Sequence, residues 1–143
     1  KLLLNKCSIN VVKSSSYYET MSWPNNNYPK YLNTVLKVKT TLKPLLLLTK
    51  IKFIEKKMGR KSSKRNHTRI CDIDILDYDK KILNLKSKKF NLQIPHPSLH
   101  FRNFVLVPLF EIDKNWNHPK LKENIANLIL KININDLRGI KFF

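Results

Sequence analysis

The apolar positions of this chain change period several times, and each change marks an element. Leu47, Ile51, Ile54 and Met58 recur at steps of four, three and four behind Pro44. That spacing predicts an amphipathic helix from Pro44 to Met58, with the proline in its first turn and its end at Gly59. Leu121, Ile125, Leu128 and Ile132 repeat the spacing after His118-Pro119 and predict a second amphipathic helix. From Tyr31 to Thr41 the period falls to two. Leu32, Leu36 and Val38 share one face and Asn33, Lys37, Lys39 and Thr41 the other, as in a half-buried strand.

Shorter segments follow the same logic. Lys1 to Lys6 reads as the last turns of a helix, and Ile9 to Tyr18 has strand composition. Glu19 to Pro29 holds Trp23-Pro24 and Tyr28-Pro29 and is expected to be an irregular loop. Ile70 to Tyr78 is β-branched and apolar between polar segments, which predicts a strand, and Asp79 to Lys89 reads as a connection with room for a short strand. Leu92-Gln93-Ile94 leads into Pro95-His96-Pro97, where the prolines are expected to keep the backbone extended and out of any helix or ladder. The run Phe104 to Phe110 fits a buried helix or a buried strand equally well. For Asn133 to Phe143 the pattern allows one further turn. Strands and helices of this kind suit an α+β fold, and the length suits a single domain spanning residues 1–143.

Chemistry concentrates around Asp72-Ile73-Asp74. In a strand, residues i and i+2 share a face about 7 Å apart, so both carboxylates look the same way. Like charges so placed call for a cation. Hard oxygen ligands suit Mg²⁺, which takes one or two protein carboxylates and completes its shell with water and phosphate oxygens. Just upstream, Gly59 to Arg69 carries Arg60, Lys61, Lys64, Arg65 and Arg69. Arginine forks and mobile lysine charges of this kind can wrap a polyphosphate. On the strand from Tyr31, the side chains of Tyr31 and Asn33 point together, either as a ligand contact or as an ordinary sheet rim. Glu55 falls one position outside the helix stripe, either to orient an arginine of the basic loop or as a surface acid.

Net charge changes this picture little. The formal charge is +18 and proposes a polyanionic partner. However, 23 of the 28 basic residues are lysines spread over nearly the whole chain, which is a drift in residue usage rather than a patch. A small basic RNA-binding protein without catalysis is therefore the alternative reading. Cys7 and Cys71 read as reduced thiols. Leu2 to Leu4 and Leu45 to Leu48 are far too short to span a bilayer, so no membrane partner is expected, and a cytoplasmic protein is.

Taken in order, Tyr31-Leu32-Asn33, Glu55, Gly59-Arg60, Arg69, Asp72-Ile73-Asp74-Ile75-Leu76, Pro95-His96-Pro97, Arg102-Asn103-Phe104-Val105-Leu106 and Pro108-Leu109-Phe110-Glu111-Ile112 resemble the 6-hydroxymethyl-7,8-dihydropterin pyrophosphokinase family of folate biosynthesis. The resemblance runs from about Ser14 to Pro119. It implies a ferredoxin-like α+β domain with helices packed on an antiparallel sheet, whose first strand and Gly-Ser-Asn-Leu-Gly turn are missing from this chain. The implied reaction moves the terminal pyrophosphate of ATP to the hydroxymethyl group of the pterin. Asp72 and Asp74 would hold two Mg²⁺ ions that bridge the ATP phosphates. Arg60, Arg69, His96 and Arg102 would contact or cover those phosphates, with Lys61 and Arg65 as weaker candidates, and Glu55 would also belong to the ATP-binding set. Ile75 and Gln93 look like the adenine side. Tyr31 and Phe104 would sandwich the pterin, Asn33 would bond its edge, and the backbone around Thr20 and Met21 would complete that pocket. The resemblance further implies a monomer with ATP and the pterin as partners and no nucleic acid. Ser62 and Asn66 stand where the family often has an arginine and an aromatic.

Overall fold

The computed structural model describes residues 1–21, 30–59, 71–87 and 89–143, the Arg138 side chain excepted. In chain order its elements are α1 (Leu2–Lys6), β1 (Asn10–Ser14), β2 (Tyr18–Thr20), β3 (Tyr31–Asn33), β4 (Leu36–Lys39), α2 (Pro44–Lys57), β5 (Leu83–Lys86), β6 (Asn91–Ile94), a 3-10 turn (Leu99–Phe101), α3 (Asn103–Ile112), α4 (Ile125–Leu130), α5 (Ile134–Arg138) and β7 (Lys141–Phe142). Helices together with antiparallel pairings make this an α+β protein. Strands β1 and β4 pair with each other. The chain divides into two compact units, one of residues 1–11 and 38–96, the other of residues 12–37 and 97–143.

In the first unit, α2 is the organising element. Pro44 stands in its first turn, and Lys56 and Lys57 in its last turn face the negative end of the helix dipole. Leu47, Leu48, Ile51 and Ile54 are buried, each worth about 1.5–3 kcal/mol of burial. The chain leaves the helix through Gly59 at φ 95°, a left-handed turn that a Cβ would strain. Met58, expected at the end of the apolar stripe, is 41% exposed, because the helix has already ended at Lys57. Glu55 carries the burial instead. Strands β5 and β6 form an antiparallel hairpin in which Leu83 pairs with Ile94 and Asn84 with Gln93. Its alternation buries Leu92 and Ile94 and leaves Gln93 exposed.

The second unit carries the sheet β3-β2-β7 and the helices α3 to α5. Tyr18 pairs with Asn33 and Thr20 with Tyr31 across β2 and β3, and Tyr18 pairs with Phe142 across β2 and β7. Helix α3 packs on β2 and β3. It places Val105, Leu106, Pro108, Leu109 and Ile112 in the core, and Leu99 of the preceding turn has no exposed surface.

Several expected boundaries move. The strand read from Ile9 to Tyr18 is two strands, because at Ser15 and Ser16 the backbone is bonded elsewhere: Ser15 N–H donates to the Val35 carbonyl at 2.9 Å and Ser16 N–H to Glu111. The strand read from Tyr31 to Thr41 likewise breaks at Thr34-Val35. The break reverses the phase, so Val35 is buried and Leu32, expected inside, is 54% exposed. Glu19 and Thr20, expected in a loop, belong to β2, while residues 22–29 of that loop lie outside the described residues. The apolar run from Phe104 is helical despite Pro108, which removes only the N–H that would have reached the Phe104 carbonyl. The last amphipathic helix starts at Ile125 rather than near Leu121. Asn124 caps it, its side chain accepting from Ala126 N–H at 2.8 Å, and Lys122 before it has φ 59°. The segment after Asn133 holds α5 and also β7, a strand the pattern did not announce.

Candidate active site

In the first unit, the acid pair lies on residues 71–77, which form none of the described strands although a strand was expected. The segment keeps strand periodicity nonetheless: Asp72 and Asp74 are exposed, Ile73 is half-buried and Ile75 is buried. Its backbone bonds explain both facts. Ile73 N–H donates to Glu55 Oε1 at 2.8 Å, and the Leu76 carbonyl accepts from His96 N–H at 2.9 Å. A side chain and a loop amide thus serve the backbone groups that a neighbouring strand would otherwise take. The two carboxylates share the solvent-facing side of the segment.

His96 flanks them. Its Nε2 stands 3.8 Å from Asp74 Oδ2, and its ring is about three-quarters buried, with 23% of the side chain exposed. As the flanking prolines led one to expect, His96 lies in neither helix nor strand. Its N–H donates to the Leu76 carbonyl, which ties the His96 backbone to the acid-bearing segment. Glu55 is not a surface acid, since its side chain has no exposed area. Besides Ile73 N–H it engages Lys52 Nζ at 3.0 Å, one turn back on α2. Of the adenine-side candidates, Ile75 is 9% exposed, and Gln93 faces solvent on β6. Arg60, Lys61, Arg65 and Arg69 lie outside the described residues.

In the second unit, the antiparallel register decides which side chains meet. Directly paired residues share a face, so Tyr18, Thr20, Tyr31 and Asn33 project to one side of the β2–β3 ladder, and Glu19 and Leu32 to the other. On the second side, Lys30 Nζ meets Glu19 Oε1 at 2.6 Å. On the first side, Asn33 Nδ2 donates to Thr20 Oγ1 at 2.9 Å and reaches the Tyr18 carbonyl at 3.3 Å. This amide nitrogen is engaged by its own sheet, which orients the Asn33 Oδ1. Tyr31 is 41% exposed and Met21, just past β2, is 48% exposed, whereas Thr20 is buried. Phe104 stands in the first turn of α3, with the Arg102 guanidinium 5.6 Å from its ring centre in a cation–π contact.

One group here has no counterpart among the sequence candidates. Glu111, on α3, accepts from Ser16 N–H at 3.0 and 3.1 Å, from Ser16 Oγ at 2.9 Å and from Tyr18 Oη at 2.9 Å. Burial pushes its carboxyl up, but the Ser16 amide, the Tyr18 hydroxyl and the Ser16 hydroxyl together outweigh that and hold it below its usual value. Burial first, then Glu111, raise the Tyr18 phenol. The latch ties the start of β2 to α3. It was hidden because a lone Glu at the end of an apolar helix carries no local signal of a partner 93 residues away.

Among the described residues no helix is long and apolar enough to cross a membrane. The sequence model of the family described as 7,8-dihydro-6-hydroxymethylpterin-pyrophosphokinase matches residues 1–114. The chain is 42% identical over 111 residues to the 2-amino-4-hydroxy-6-hydroxymethyldihydropteridine pyrophosphokinase of Aquifex aeolicus, covering 78% of this chain and 67% of that protein. Against the enzyme of the same name from Haemophilus influenzae it is 38% identical over 112 residues, 78% of this chain and 68% of that one. A folic acid synthesis protein of Pneumocystis carinii is 37% identical over 132 residues, 92% of this chain but 17% of the relative. The chain thus spans about two thirds of the bacterial enzymes and a small part of the longer folate-synthesis protein. The acid pair, His96, the Tyr31–Asn33 strand and Phe104 all fall inside the matched residues, and the chain belongs to the pyrophosphokinase family of folate biosynthesis.

Proposed function

We propose that this protein transfers the terminal pyrophosphate of ATP to the hydroxymethyl group of 6-hydroxymethyl-7,8-dihydropterin, releasing AMP and the pterin diphosphate. The observation that carries the reading is the family match over residues 1–114, which takes in both halves of the chemistry. The relatives are named for this activity. No described feature and no comparison favours the RNA-binding alternative.

The residues present fit the metal that such a reaction needs. Asp72 and Asp74 are exposed hard-oxygen donors two positions apart on one side of an extended segment, and Mg²⁺ accepts one or two such carboxylates with substrate phosphates completing its shell. In our reading these acids hold two Mg²⁺ ions, which when bound neutralise phosphate charge. His96, from its place 3.8 Å from Asp74, contacts the phosphates, and Arg60, Arg69 and Arg102 add fixed positive charge, with Lys61 and Arg65 in support. Pyrophosphoryl transfer asks mainly for positioning and charge neutralisation, so no nucleophilic side chain is required. On the β2–β3 face, Tyr31 stacks on the pterin, Asn33 bonds its edge, and Thr20 and Met21 supply backbone contacts. Phe104 offers the second ring, gaining stacking and apolar burial. Ile75 and Gln93 receive the adenine. From the family resemblance we also propose a ferredoxin-like single domain, a monomeric state and a cytoplasmic location.

The test is direct. Purified chain incubated with ATP should form AMP only when both the hydroxymethyl-dihydropterin and Mg²⁺ are present. AMP formation independent of the pterin, or none under any condition with folded protein, refutes the assignment.

A further inference from the structure

We propose that Glu55 is a positioning residue for the acid pair: through the backbone of Ile73 it fixes the geometry in which Asp72 and Asp74 present their carboxylates. The inference rests on the pyrophosphokinase reading and gives Glu55 a role exerted through the backbone of the acid-bearing segment.

The geometry makes the case. Glu55 has no exposed side-chain surface, and its Oε1 accepts from Ile73 N–H at 2.8 Å. Ile73 is the residue between the two acids, so its amide is the peptide link that joins Asp72 to it. Holding that amide fixes the torsions on both sides, and with them the directions of two side chains that share a face. The residues 71–77 form none of the described strands, so the Glu55 bond replaces a ladder bond where the acid pair most needs rigidity. Divalent sites tolerate little error in ligand placement, and groups behind the ligands commonly tune affinity by about ten- to a hundredfold.

The arrangement is also self-consistent electrostatically. Burying a carboxylate is costly unless it is paired and hydrogen-bonded. Lys52 Nζ at 3.0 Å supplies the charge, is one-third exposed, and lies one helical turn away on the same face of α2. The rigid helix therefore holds the acceptor at a fixed height.

Two substitutions in the full chain test this. Glu55→Met fills the same space without an acceptor, whereas Glu55→Gln keeps an oxygen for Ile73 N–H. Amide hydrogen exchange by NMR should show the Ile73 amide exchanging at least about tenfold faster in Glu55→Met, with core amides such as Leu106 and Leu109 unchanged, and near wild-type protection in Glu55→Gln. Binding of a non-hydrolysable ATP analogue, titrated with Mg²⁺, should need about tenfold more Mg²⁺ in Glu55→Met and close to the wild-type amount in Glu55→Gln. Pterin affinity should not change. An Ile73 amide that stays protected in Glu55→Met overturns the inference, as does a loosened amide with an unaltered Mg²⁺ requirement, or a Glu55→Gln variant as impaired as Glu55→Met. Wild-type protein that binds the analogue with no dependence on Mg²⁺ instead overturns the functional reading beneath it.

Discussion

Removing the Glu111 carboxylate is expected to loosen the start of β2 at Tyr18. Ser16 N–H, Ser16 Oγ and Tyr18 Oη all donate to it, at distances between 2.9 and 3.1 Å. Hydrogen bonds to a charged group contribute about 1.5–3 kcal/mol each where they are desolvated. Glu111 is exposed, so water replaces much of what is lost, and Glu111→Ala should cost only about 1–2 kcal/mol altogether. Urea unfolding of Glu111→Ala, Tyr18→Phe and the double variant at neutral pH should give a coupling of about 0.5–1 kcal/mol. The pH dependence adds a second check. Because the folded carboxyl is held below its usual value, the unfolded chain takes up this proton first as pH falls. Glu111 therefore contributes fully above the ordinary carboxylate range, and its contribution is lost as pH drops below about 4 toward the lowered folded value. The wild-type advantage over Glu111→Ala should accordingly be flat near neutrality and shrink in acid. For Tyr18 the sign is opposite: a raised phenol keeps its share of stability until pH climbs past about 10. A coupling indistinguishable from zero, or an advantage undiminished at about pH 3, refutes the latch.

Other outcomes follow from the same geometry. Tyr31→Ala should weaken pterin binding at least about tenfold by calorimetry while leaving binding of an ATP analogue within about twofold, since loss of one stacking ring is worth about 1–3 kcal/mol. Equal losses for both ligands would contradict the role of the β2–β3 face. Asp72→Asn and Asp74→Asn, which keep shape but remove charge, should each reduce AMP formation by at least about a hundredfold, because metal-borne charge stabilisation is worth several kcal/mol. Near-normal rates in either variant would remove the metal assignment. Asn124→Ala should lower stability by about 1 kcal/mol in denaturant without affecting turnover, as loss of the cap bond to Ala126 predicts. A silent substitution there would mean that packing of Ile125 and Leu128 alone fixes the start of α4.

What the chain discloses about its fold depends on whether the information is local. The helix from Pro44 is readable because proline, apolar stripe and glycine stop all sit within its own length. Strand ends are not, because they are set by partners distant in sequence. Ser15 and Ser16 look like ordinary strand residues, yet the bonds to Val35 and Glu111 end β1 there. A break at Thr34 shifts the phase, so alternation counted through it misplaces Leu32, which is exposed while Val35 is buried, although Leu36 and Val38 stay half-buried with Lys37 and Lys39 outside, as expected. The strand β7 was invisible for a related reason: Lys141-Phe142 has no alternation of its own and exists by pairing with Tyr18 and Glu19.

The candidate site divides along the same line. Residues whose chemistry is in the side chain, the paired acids and the Tyr31–Asn33 pair, are legible from spacing, since a period of two puts them on one face whether or not a ladder forms. Residues that act by holding others are not. Glu55 reads as one position off an apolar stripe, and only its buried contact with the Ile73 amide separates a structural clamp from a surface acid. Glu111 is in the same position with respect to Tyr18. The acid segment shows why this matters for function. A period of two tells where Asp72 and Asp74 point, but the bonds that tie their segment to α2 and to His96, on which the proposed metal site would rely, are recorded by no pattern inside residues 71–77. In this protein the groups expected to contact substrate can be read from sequence, whereas the groups that keep them in place emerge only from the packed chain.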